Sequence, residues 1–283
     1  MTDPGQPVRL IASDIDGTIL PYRHTATGTL SPRTVEAFHA ASEAGVVVVL
    51  VTGRPLRDLR PISETLGAVG PVIASNGALL YDLAAESALI TRSIRTETLF
   101  TVTEELARIA PDARFAAETT QKLHMEEAFA AGSFWYDDVI DPDVLRIGPI
   151  DHTLTQDRPQ VLKLLARTST MAPEEFLHTA RAQVGQTLTV THSAPGVSLL
   201  EMSAKGVTKA SMLQRFAERL GVAREQIVAF GDMPNDVEML QWAGTSWAVG
   251  SAHPAARAAA DYVCGDCDDD GVAQIIEQLV EAR

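Results

Sequence analysis

Four short segments of the chain are mostly apolar and β-branched, without the alternation of a half-wet strand. They are Leu10 to Asp14, Val46 to Thr52, Val72 to Ser75 and Ile227 to Gly231. Continuous runs of that length suit strands buried on both faces, the environment of a parallel sheet. Helical stretches lie between and after them. Pro32 to Glu43 has Ser31 as its N-cap and Gly45 just past its end, Pro55 to Leu66 stops before Gly67, and Ala210 to Leu220 is closed by Gly221. Strands that alternate with helices predict an α/β protein with a doubly wound parallel sheet. Trp247 to Val249 and Tyr262 to Cys264 are expected at its edge, with Ala255 to Ala260 helical between them.

The middle of the chain breaks this pattern. Its strand candidates, Leu89 to Ile94, Arg114 to Glu118, Leu162 to Ala166 and Leu188 to His192, alternate in polarity. That suits a mixed or antiparallel sheet with one wet face. Thr98 to Ile109 and Glu174 to Val184 read as helices among them. The expected organisation is therefore a core built from residues 1–82 and 197–283 together, interrupted by an inserted α+β domain over 83–196.

Composition narrows the classes. Apolar residues make up 46% and charged residues 21% of the 283, as in a globular protein. The longest apolar run, Gly45 to Val51, is too short to span a bilayer, and the first ten residues hold no signal-type apolar stretch. A cytoplasmic protein without membrane partners is the expectation. The net charge of −14 argues against a nucleic-acid partner, because phosphate backbones demand basic patches. Cys264 and Cys267 form one CGDC beside the acidic Asp266, Asp268, Asp269 and Asp270. A structural zinc needs four ligands and no second pair supplies them, so two free thiols in a reducing compartment are expected, and the acidic string is read as a solvated loop before the last helix.

The chemistry gathers where strands end. Asp14 and Asp16, two apart, leave the first strand on one side before Gly17-Thr18. In an open α/β sheet the carboxyl ends of the strands are where ligands bind. One carboxylate there can act as a nucleophile while the other handles a proton. The second strand ends in Thr52-Gly53, a hydroxyl and a bare amide suited to a phosphate oxygen. Lys205 and Lys209 stand at a helix start, and the fourth strand delivers Asp232, Asn235 and Asp236 around a turn. Carboxylates at two strand ends make an oxygen-rich cation site that suits Mg²⁺.

Taken in order, DIDGT, VTGR, the lysine region and GDMPND resemble the haloacid dehalogenase-like hydrolases. The large insertion after NGALLYD resembles that of their Cof-type phosphatases, with a large α/β cap domain. The resemblance covers essentially the whole chain and implies a Mg²⁺-dependent phosphoric monoester hydrolase. It assigns Asp14 as the nucleophile that forms an aspartyl-phosphate and Asp16 as the general acid/base. Thr52, Gly53 and Lys209 match phosphate-binding positions, leaving Lys205 to face solvent. Asp232 matches the acidic metal ligand, joined by the Asp14 carboxylate and the Asp16 carbonyl, with Asn235 and Asp236 in support. Ala210 stands where the family usually has glycine after the lysine, and Ser251-Ala252-His253 where Asn-Ala is more common.

Two other readings use the same residues. A phosphomutase would return the phosphate to its substrate, and a receiver-type signalling module would hold it on one aspartate. The second leaves the pair Asp14/Asp16 and the long insertion unexplained. An acidic chain over a single phosphate site favours small phosphorylated metabolites with hydroxyl-rich, sugar-like bodies. In the insertion, Phe134-Trp135-Tyr136-Asp137-Asp138 is the most site-like stretch, although its aromatics are read as filling the domain's own core.

Overall fold

The computed structural model describes residues 7–67, 69–131, 142–192 and 196–282. The chain divides into two compact units, one of residues 1–90 with 208–283 and one of residues 91–207. Strands β1 (Leu10–Ser13), β2 (Val47–Val51), β3 (Val72–Ala74), β4 (Leu79–Asp82) and β5 (Ser87–Thr91) come first. The second unit holds β6 (Arg114–Thr119), β7 (Leu123–Met125), β8 (Leu145–Ile147), β9 (Val161–Arg167), β10 (Leu188–Thr191) and β11 (Leu199–Ala204). The chain then returns to the first unit with β12 (Ile227–Gly231), β13 (Thr245–Ala248) and β14 (Tyr262–Val263).

The first unit is built on one sheet in the order β14-β13-β12-β1-β2-β3-β4-β5. Its strands are parallel from β14 to β3, and β4 runs antiparallel to β3. Every residue of β1 and of β12 is buried, as continuous apolar runs require. The helix Pro32–Glu43 starts where expected, because the Ser31 side chain accepts a hydrogen bond from the Thr34 N–H. Pro55 to Leu66 forms in two pieces, a 3₁₀ turn Leu56–Leu59 and an α-helix Arg60–Leu66 with proline in its first turn. Proline's missing N–H costs nothing there.

The second unit is a six-stranded sheet in the order β10-β11-β9-β6-β7-β8, antiparallel except between β7 and β8. On one face Phe115, Ala117, Leu164, Ala166, Leu200 and Met202 pack with Leu99, Val102 and Leu106 of the helix Thr96–Ile109 and Phe176 and Ala180 of Pro173–Val184. The opposite face is not wet. Ala116, Leu123, Met125, Leu165 and Leu199 cluster with Phe129, and Glu118, Lys163 and Glu201 are buried. Lys163 lies 3.5 Å from Glu201.

Two differences from the sequence expectation concern where the units meet in the chain. The strand expected at Leu89 to Ile94 forms as β5 and continues the first sheet beyond β4, so the first unit runs to Ile90 and not to 82. At the far end, β11 pairs with both β9 and β10, which keeps the chain in the second unit to Val207. β11 carries Glu201 and Ser203 on one face and Leu200 and Met202 on the other. The aromatic stretch 134–138 lies outside the described residues. No described helix is long and apolar enough to cross a membrane.

Candidate active site

β1 lies between β2 and β12, with Ser13 level with both Leu50 and Phe230. The chain therefore leaves the three strands at Asp14, Thr52 and Asp232 along one edge of the sheet. Backbone pairing persists just past the strands: the Asp14 N–H donates to the Phe230 carbonyl at 3.0 Å and the Thr52 N–H to Ile73 at 2.8 Å. The helix Lys209–Leu220 enters from the side, capped by the Thr208 side chain. Its approach depends on Gly77, whose φ is +98° and where a Cβ would stand 2.2 Å from the Thr208 carbonyl oxygen.

That approach buries the Lys209 side chain among carboxylates. Its ammonium donates to Asp14 Oδ1 at 2.6 Å and to Asp236 Oδ1 at 2.7 Å. Asp236 is fully buried, and its Oδ2 accepts from the backbone N–H groups of Asp232 and Met233 at 3.1 and 3.0 Å. Asp232 Oδ2 accepts from the Tyr22 hydroxyl at 2.7 Å. What remains is Asp14 Oδ2 and Asp232 Oδ1, each with the Thr18 hydroxyl at 3.4 Å. A single hydroxyl proton cannot serve both oxygens.

The electrostatics follow from that count. Asp14, Asp232 and Asp236 bring ligand oxygens within 4.8 Å of one another, against one ammonium. Burial first, then the charge of Asp236, pushes the Asp14 carboxyl well above its ordinary range despite Lys209. Burial and Asp236 raise Asp232 to about 7. Burial works to lower Lys209, but the charges of Asp14 and Asp236 outweigh it and hold its pKa above the usual lysine value. Lysine is stabilised while its partner Asp14 is not, because one cation is divided among three anions. A divalent ion would supply the missing charge. The donors fit a hard cation: two carboxylate oxygens without a strong partner, and, in the turn that carries Asp232, the buried Asn235 Oδ1, which has no hydrogen-bond partner among the described residues. The carboxylates of Asp14 and Asp232 would hold such an ion.

Asp16 does not join this cluster through its side chain. Its carboxylate turns to Arg54, whose Nε donates to Oδ2 at 2.7 Å and Nη2 to Oδ1 at 2.5 Å. Arg54 also donates to the carbonyl of Thr25 at 2.9 Å. Thr52 is buried and its hydroxyl accepts from the Arg54 N–H at 3.0 Å, so Thr52, Gly53 and Arg54 form one tight turn beside Asp16. Asn235 donates to the Asn76 side chain at 3.0 Å, linking the β3 and β12 turns. Lys205 lies in the other unit, exposed, and donates to the Gly185 carbonyl. The thiols of Cys264 and Cys267 are free and buried, and burial pushes them up to about 11 and 12.

The sequence reading overlooked Tyr22 and Arg54. Arg54 directly follows Thr52-Gly53, so the tripeptide was a usable signal. Tyr22 had none, since a tyrosine in a polar loop is ordinary.

A family model for haloacid dehalogenase-like hydrolases matches residues 11–276. The chain is a haloacid dehalogenase-like hydrolase. The hydrolase is 28% identical over 273 residues to the 5-amino-6-(5-phospho-D-ribitylamino)uracil phosphatase YcsE of Bacillus subtilis, covering 96% of each chain. It is also 28% identical over 288 residues to the pyridoxal phosphate phosphatase YbhA of Escherichia coli, covering 95% of this chain and 97% of the relative. In fold, the hydrolase is similar to SMU.1108c of Streptococcus mutans, with a TM-score of 0.82 at 23% identity over 97% of this chain and 99% of the other.

Proposed function

We propose that the hydrolase is a Mg²⁺-dependent phosphatase of small phosphomonoesters, working through an aspartyl-phosphate on Asp14. The observation that carries this is the facing pair of Asp14 Oδ2 and Asp232 Oδ1 beside a buried Lys209. A phosphate dianion repels a carboxylate nucleophile, so positive charge must meet its non-bridging oxygens. Lys209 contributes one such charge, and Mg²⁺ held by Asp14, Asp232 and the Asp16 carbonyl would contribute the rest. The Thr52 hydroxyl and Gly53 amide would receive a phosphoryl oxygen. Asp236 keeps Lys209 in place, and Asn235 ties the neighbouring turns together.

In the first step an Asp14 oxygen bonds to phosphorus and the bond to the leaving oxygen breaks, which takes a proton from Asp16. In the second, water attacks the same phosphorus, gives a proton to Asp16, and the bond to Asp14 breaks with release of inorganic phosphate. For Asp16 to reach these oxygens it must leave the Arg54 fork or swing with it. The substrates are read as sugar-phosphate-like metabolites with hydroxyl-rich bodies. The net charge of −14 disfavours polyanions, and the named relatives act on small phosphorylated compounds.

The test is phosphate release from a panel of phosphorylated metabolites with Mg²⁺ and with excess EDTA. Asp14→Asn should abolish both turnover and the covalent phosphoenzyme, and Asp16→Asn should slow alkyl phosphates most. Full activity in EDTA, or covalent labelling of Asp14→Asn, defeats the proposal.

A further inference from the structure

Tyr22 is oddly placed for a residue of the hydrophobic class. It is 46% exposed, so its ring contributes little to any core, yet its hydroxyl reaches the buried Asp232 at 2.7 Å. The loop carrying it is pinned back on the Asp14–Asp16 turn. The Gly17 N–H donates to the Leu20 carbonyl at 2.8 Å and the Leu20 N–H to Ile15 at 2.9 Å. Pro21 then turns the chain into the short helix Tyr22–His24. The ring thereby lies directly over Gly17, which has a φ of +77°. A Cβ there would stand 2.6 Å from Tyr22 Cε2 and 2.2 Å from Asp232 Oδ2. Gly17 makes room for both the ring and the carboxylate it touches.

The hydrogen bond has a directional consequence. A carboxylate on a free side chain offers either oxygen. With Oδ2 occupied by Tyr22, Asp232 can present only Oδ1 toward Asp14. We propose that Tyr22 is a positioning residue that fixes the Asp232 carboxylate so that Oδ1 is preset for a divalent cation. The inference rests on the proposed metal-dependent phosphatase reading and adds to it a partner of the metal ligand. A hydrogen bond of this kind orients a ligand and raises metal affinity, and losing one typically costs about 10- to 100-fold in binding.

The experiment is a calorimetric Mg²⁺ titration of the full-length, metal-free protein without substrate, comparing wild type, Tyr22→Phe and Asp232→Asn. Tyr22→Phe keeps the ring over Gly17 and removes only the hydroxyl, so the fold should be retained. Its Mg²⁺ Kd should rise by about tenfold or more, and its activity deficit should shrink as Mg²⁺ is raised. A wild-type Kd in Tyr22→Phe, with binding abolished in Asp232→Asn, overturns the role of Tyr22 while leaving the metal site standing. A lowered melting temperature in EDTA with an unchanged Kd overturns it as well, since the bond would then be only structural. Equal binding by wild type and Asp232→Asn would remove the metal reading and this inference together.

Discussion

Lys209→Met is the substitution on which the site's electrostatics can be measured. Methionine keeps the length and apolar stem of lysine and deletes the ammonium, which now donates at 2.6 Å to Asp14 and 2.7 Å to Asp236. All three side chains are 7% exposed or less. Removing one partner of a buried pair strands the other charge and costs about 3–5 kcal/mol. The two contacts share one cation, so that figure is not doubled. It is still a large part of a typical total stability of about 5–15 kcal/mol. The cost has a pH signature in metal-free protein. Asp14 and Asp232 already lie above their ordinary range, Asp232 at about 7, and losing the ammonium pushes both further up. A carboxyl whose folded pKa exceeds its unfolded value binds its proton more tightly when folded. Stability then falls as pH rises from the unfolded value, about 3.9, through the folded one. The gap between variant and wild type should be widest near pH 8 and narrow toward pH 5, where protonation removes the stranded charges. Urea unfolding of both proteins in EDTA at the two pH values reads this directly. A gap below about 1 kcal/mol at pH 8, or one that widens on acidification, refutes the reasoning. In turnover with Mg²⁺ the same variant should lose about 10²–10³ in rate, whereas Lys205→Ala should stay near wild type.

Arg54→Gln removes the fork that holds both oxygens of Asp16. Misplacing a proton donor should lower kcat by about 10- to 100-fold, more for alkyl than for aryl phosphates, and equal losses on the two classes would show that Arg54 does not act through Asp16. In the second unit, hydrogen bonds from Thr168, the Ser169 backbone and Thr170 hold the Asp112 carboxyl well below its usual value. Its stabilising contribution is present above the unfolded pKa and is lost as pH falls through the folded one. Asp112→Asn should therefore flatten acid unfolding on the low-pH side, and superimposable acid transitions would count against it.

Much of the first unit was legible because its segments obey one rule each. Val47–Val51 and Ile227–Gly231 are apolar at nearly every position, and the Ser31 cap and Gly221 stop mark helix ends with a local mechanism. The second unit was less legible where two rules conflict. Glu118, Lys163 and Glu201 look like the wet positions of alternating strands, yet they are buried. Alternation reports which side chains share a face and does not report what covers that face. β5 was misplaced for a similar reason, since it carries the same alternating signal whichever sheet it joins.

For the site, the strand ends were readable and their partners were not. Asp14, Asp232 and Lys209 stand out because a carboxylate or lysine after an apolar run or at a helix start has a stated use. Their relations are set by contacts across long stretches of chain: Lys209 meets Asp14 over 195 residues and Tyr22 meets Asp232 over 210. Asp236 illustrates the limit. From spacing alone it looked like one more acid around a turn, and among three carboxylates this close together it would count as a ligand as readily as the others. Its two oxygens, however, are taken by Lys209 and by two backbone N–H groups, so it anchors the lysine and the turn that presents Asp232. Acidic residues of the same type, four positions apart, thus take different parts because one commits its oxygens to Lys209 and the backbone and the other keeps one oxygen turned toward Asp14.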